Sequence, residues 1–155
     1  MKCLKRIFTI IICFVMISFV TGCSKKKISI EKFNEIMKEK GYKISDDIKL
    51  DNEEETVKKY SIVNDPDNKY MIQFYQFDSH EDAKLVYHKM RLELYSIAVK
   101  GSTSGSIERK KYYKFVLTND DKYYIVSVID NTLLFAYTKV ENKNELKNFV
   151  KKIGY

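Results

Sequence analysis

Residues 122–153 read KYYIVSVIDNTLLFAYTKVENKNELKNFVKKI, and residues 59–90 read KYSIVNDPDNKYMIQFYQFDSHEDAKLVYHKM. The two stretches align without a gap. Lys59-Tyr60 meets Lys122-Tyr123, Ile62-Val63 meets Ile125-Val126, and Asp67-Asn68 meets Asp130-Asn131. Lys84 and Lys89 meet Lys147 and Lys152. Each stretch holds two runs rich in β-branched and aromatic residues around an Asp-Asn turn, followed by an apolar stripe at helical spacing. The pattern reads as a duplicated strand–strand–helix unit. Neither unit covers its own sheet, so the two are expected to share a core. The simplest arrangement is a pseudo-twofold sheet with its helices on one face.

Outward from these units, the rest of the chain falls into place. Ser29 can cap a helix whose apolar face is Ile30, Phe33, Ile36 and Met37, and Gly41 ends it. Tyr42–Ser45 has the composition of a short strand. Val57–Val63 and Tyr70–Phe77 are strands around the turn Asn64-Asp65-Pro66-Asp67-Asn68, which holds the chain's one proline. Asp78 or Ser79 caps a second helix that buries Ala83, Val86, Tyr87, Met90, Leu94 and Ile97. Lys100-Gly101-Ser102-Thr103-Ser104-Gly105-Ser106 reads as a flexible loop. Strands follow at Lys111–Leu117, Lys122–Ile129 and Leu133–Val140, with turns at Asn119-Asp120-Asp121 and Asp130-Asn131. A last helix opens at Asn142 and Glu145, buries Leu146, Phe149, Val150 and Ile153, and ends at Gly154. The expected class is α+β, an antiparallel sheet of about five strands with helices packed on it in the order α-ββ-α-βββ-α.

The chain has 155 residues and a formal net charge of +7. That length suits one domain. The charge is concentrated at the start: Lys2, Lys5 and Arg6, then Lys25, Lys26 and Lys27, with no acid among them. The remainder is close to neutral, so no basic stripe is available for nucleic acid. Cys3, Cys13 and Cys23 are the only cysteines. The domain therefore has no disulfide, no thiolate nucleophile and no cysteine metal site.

The first 22 residues have the parts of an export signal. A positive n-region is followed by an apolar run, Ile7 to Val20, too short for a permanent span of a hydrocarbon core about 30 Å thick. Val20-Thr21-Gly22-Cys23 then resembles the lipobox of bacterial lipoproteins. The resemblance implies cleavage between Gly22 and Cys23 and a covalent lipid on Cys23, leaving it as the first residue of a mature chain. Residues 23–28 become a lipidated, lysine-rich tether and 29–155 a single domain on the outer face of the cytoplasmic membrane. The domain is also similar to small lipoproteins of Gram-positive bacteria, through lipobox, tether and Gly-Tyr ending, and that resemblance implies no known activity.

No catalytic constellation stands out. His80 and His88 lie too far apart on one helix to share a metal, and read as surface imidazoles. Asp65-Pro66-Asp67-Asn68 lacks the glycine and distant glutamate of a calcium loop. The acidic run Asp51–Glu55 reads as a solvated charge cluster. Gly101–Ser106 lacks the Lys-Ser/Thr of a phosphate-binding loop, and no Gly-x-Ser-x-Gly elbow is present. The unusual feature is twelve tyrosines. Tyrosine joins a large apolar ring to a polar tip and suits interfaces. Tyr75, Tyr113 and Tyr124 are the candidates for contact with a partner. The expected function is a non-catalytic binding or interaction module of the cell envelope, without cofactor. Its partners are the membrane, through the lipid, and an envelope protein or peptide. The alternative is a small envelope hydrolase with an unidentified acid/base site.

Overall fold

The computed structural model describes residues 25–45 and 56–155. The expected signal segment 1–22, the cleavage pair Gly22-Cys23 and the acidic run Asp51–Glu55 lie outside the described residues. The elements are α1 (Ile30–Glu39), β1 (Lys43–Ser45), β2 (Val57–Asn64), β3 (Tyr70–Phe77), α2 (His80–Ser96), β4 (Thr103–Arg109), β5 (Tyr112–Asn119), β6 (Lys122–Ile129), β7 (Thr132–Lys139) and α3 (Lys143–Lys152). A short 3₁₀ turn, Val140–Asn142, leads into α3. The strands form one antiparallel sheet of seven, in the order β1-β2-β3-β7-β6-β5-β4.

The expectation of about five strands, in the order α-ββ-α-βββ-α, is therefore corrected at both sheet edges. β1 occupies the stretch after Gly41 that was expected only as a short strand. β4 replaces most of the expected flexible loop. Its Thr-Ser-Gly-Ser composition resembles a linker, and the turn to β5 is Lys110-Lys111, which carries none of the usual turn residues. Pairing decides the matter: all seven β4 residues are in register with β5, from Thr103↔Thr118 to Arg109↔Tyr112. Arg91 on α2 also holds Glu108 at 2.6 Å.

The expected one-sided arrangement of helices is overturned too. The register of the two hairpins is the same, Val63↔Ile72 in one and Val126↔Phe135 in the other. The faces are inverted. Val63 lies in the core beneath α1 and α3, with Phe33, Met37, Ile72, Phe74, Leu146 and Val150. Val126 lies in the core beneath α2, with Phe77, Tyr87, Phe115, Val128 and Leu133. Side chains alternate along a strand, so an inversion of faces sends each following helix to the opposite side. The sheet is sandwiched, with α1 and α3 on one face and α2 on the other.

Local chemistry fixes the helix ends. Ser79 accepts from Asp82 N at 3.1 Å, while Asp82 accepts from Ser79 N at 3.2 Å, a complete capping box. Ser29 caps α1 through Lys32 N. Asn142, expected to cap α3, makes no side-chain cap bond, because the 3₁₀ turn takes that place. α1 and α3 end alike. Gly41 and Gly154 have φ of 76° and 101°, which only glycine adopts freely. After each, the tyrosine N–H returns to the helix: Tyr42 to Met37 O and Tyr155 to Val150 O, both at 3.0 Å. Both tyrosines reach inward, Tyr42 to the hydroxyl of Tyr70 and Tyr155 to Thr132.

Candidate functional site

α2 packs over β3, β5, β6 and β7 and decides which tyrosines reach the surface. Tyr75 and Tyr113, two of the three expected partner-binding residues, are buried beneath or beside it. Tyr113 packs against His80, Tyr87 and His88, with ring centroids 5.8, 5.5 and 6.1 Å away. Both histidines thus belong to ring packing. His80 Nδ1 also lies 2.8 Å from Asp130 O. Tyr75 donates to Gln73 Oε1 at 2.8 Å.

Tyr124, the third, stays half-exposed where α2 leaves the sheet uncovered. It stacks on Phe135 at 6.5 Å and lies 6.0 Å from Tyr137, and Phe135 and Tyr137 are also 6.0 Å apart. Phe135 and Tyr137 come from β7, and the register sets Tyr124 opposite Tyr137. A groove of about 330 Å³ runs beside them, lined by Gln73, Met90, Glu93, Leu94, Ile97 and Phe135. Leu85 and Leu92, each 69% exposed, lie on the outer side of α2, away from the groove, and Ile97 and Val99 follow at its end. Phe135 and Tyr137 were readable in the sequence: they share the parity of Leu133 on a strand whose other face is Leu134 and Ala136. What the sequence did not carry is which residues α2 covers.

The lysine tether is the second feature. Lys25 Nζ donates to Gly154 O at 3.0 Å and sits 4.8 Å from the Tyr112 ring centroid. Lys27 Nζ donates to Asn131 Oδ1 at 2.7 Å and pairs with Asp130 at 3.0 Å. Asn131 in turn donates to Phe77 O at 2.7 Å and accepts from Phe77 N at 2.9 Å through its own carbonyl. The tether is docked on the end of the sheet that carries the β6–β7 turn. Burial, and then the charge of Lys151, lowers the pKa of Lys25. Beneath it Lys114 is pushed down to about 8 by burial, with the charges of Lys25 and Lys147 adding to the effect.

Among the described residues, no group of three or more His, Cys, Asp or Glu is placed to hold a metal ion. Among the same residues, no helix is long and apolar enough to cross a membrane. A second hollow of about 260 Å³ lies at the other end of the sheet, lined by Asn64, Asn68, Lys69, Lys122, Lys139 and Tyr137 among others. Comparison with known proteins returns no match among family models, curated proteins or solved structures.

Proposed function

We propose that this chain is an extracytoplasmic lipoprotein, anchored through Cys23, whose domain is a binding module of the cell envelope. The observation that carries the binding half is the half-exposed cluster Tyr124, Phe135 and Tyr137 beside an apolar groove. Three adjoining rings on a rigid sheet lose little conformational freedom on contact and present both apolar faces and hydroxyl tips. Ile97, at the end of α2, extends the apolar surface on the groove side. The partner that fits is a protein or peptide segment with apolar side chains. The anchor half rests on the lipobox resemblance and on the lysines that follow it.

The test is site-specific photo-cross-linking in intact cells from position Tyr137, repeated in a chain carrying Tyr124→Ala. The expected result is a discrete cross-linked species that Tyr124→Ala depletes at least several-fold, with the melting temperature within a few degrees of the parent. Cross-linking unchanged by the substitution would overturn the binding reading. Cys23→Ser is expected to release the protein or leave it as precursor, and fatty-acid labelling retained in that variant would overturn the anchor.

A further inference from the structure

We propose that the end of the domain carrying the β6–β7 turn is a membrane-facing surface that lies against anionic lipid headgroups. The inference builds on the lipid anchor at Cys23. Cys23 precedes Lys25 by two residues, and two residues reach at most about 7 Å. Lys25 is held on Gly154 and Lys27 on Asn131 and Asp130. A lipid on Cys23 therefore enters the membrane from a point no more than about 7 Å along the chain from Lys25, and the tether is short.

Among the described residues, the charge at this end is mostly basic, and its Glu81 lies 3.9 Å from Lys84. Asp130 is paired with Lys27 and Lys111, Asp78 with Lys58, Glu31 with Lys59, and Glu108 with Arg91. Asp82 is engaged in the capping box. The same end carries Lys25, Lys26, Arg109, Lys110, Lys151 and Lys152, on the tether, the β4–β5 turn and the last turn of α3. Within one Debye length of a membrane, roughly 8 Å at physiological salt, such groups feel the surface potential. Burial, and then the charge of Lys151, lowers the pKa of Lys25, and an anionic surface offsets the second of these. The strands then stand away from the membrane. β6 has eight residues, about 26 Å at 3.3 Å each, so Tyr124 and Tyr137 sit toward the far end.

The experiment uses the full chain expressed in a lipoprotein-processing bacterium and reconstituted into phosphatidylcholine vesicles, with or without an equal share of phosphatidylglycerol. The other cysteines leave with the signal or carry lipid, so Lys110→Cys and Asp121→Cys each add one labelling site, at the near and far ends. A headgroup-level quencher reads their depth, and mass spectrometry reads acylation of Cys23 on the same samples. The expected result is quenching at position 110 several-fold above that at 121 in anionic vesicles. The difference should shrink in neutral vesicles and in Lys151→Glu/Lys152→Glu protein of unchanged circular dichroism. Equal quenching at both positions in anionic vesicles, on protein acylated at Cys23, would overturn the inference and leave the anchor standing. Cys23 found unacylated would overturn the anchor, and with it the step that brings this end to the membrane.

Discussion

Lys114 shows how a single side chain can be read only in part from sequence. Its place on β5 is legible from alternation, because Tyr113, Phe115 and Leu117 face α2 and 114 must face the other way. Its surroundings are not legible, since they come from the tether and α3. The folded state holds Lys114 near pKa 8 against 10.5 for the free side chain. Between those values the unfolded chain binds a proton that the folded state does without. Stability contributed by this group therefore rises with pH across that window, and the cost of the buried charge is fully present below it. Lys114→Met should be more stable than the parent at pH 7, with the gap narrowing from pH 8 to 10 in urea unfolding. Burial raises the pKa of Tyr70 and Tyr155 and pushes Tyr87 up to about 12, which lowers stability above pH 10 in both proteins. The difference between the two isolates Lys114, and a gap constant with pH would contradict the assignment. The tyrosines expected to meet a partner divide by the same rule. Tyr124 is half-exposed while Tyr75 and Tyr113 are buried, and the path of α2, not any local residue pattern, separates them.

At the scale of elements, local chemistry was legible wherever it is self-contained. The Ser79–Asp82 box, the Gly41 and Gly154 endings and the Asp-Asn turns all follow from residue types at fixed spacing. Asn68, Asp120 and Asp130 sit at φ near 54°, 53° and 54°, a region that Asn and Asp tolerate. β4 escaped because an edge strand of Thr, Ser and Gly gains its order from β5 and has no pattern of its own. α2 combines a strong start with apolar residues on its outer side, so the box contributes much of its definition. Ser79→Ala should cost about 1 kcal/mol, from the loss of the bond to Asp82 N. Urea unfolding measures it, and an unchanged midpoint would show that the box is redundant with packing.

On the scale of the whole molecule, an antiparallel sheet with helices was legible, but its seven strands, their order and its layering were not. Two amphipathic hairpin–helix units predict an α+β sheet, but only the inversion of faces tells that the helices part to opposite sides. The result is two cores that share β3, β7 and β6. Hydrogen exchange should find those three strands protected most, β5 and β2 less, and β4 and β1 least, since β4 is exposed along its whole length. Uniform protection across the sheet would contradict the central role of β3 and β7. That central ladder has a consequence in time. Thr138 Oγ1 donates to Lys69 O across 69 residues of sequence, and β7 is the sole partner on β3's inner edge. A chain emerging from the ribosome can form the β1-β2-β3 and β4-β5-β6 meanders early, yet the two join only when β7, the last strand, arrives. Non-local pairing of this kind is slow. Until β7 arrives the two halves of the sheet share no ladder, and completion of the fold waits on the last strand of the order.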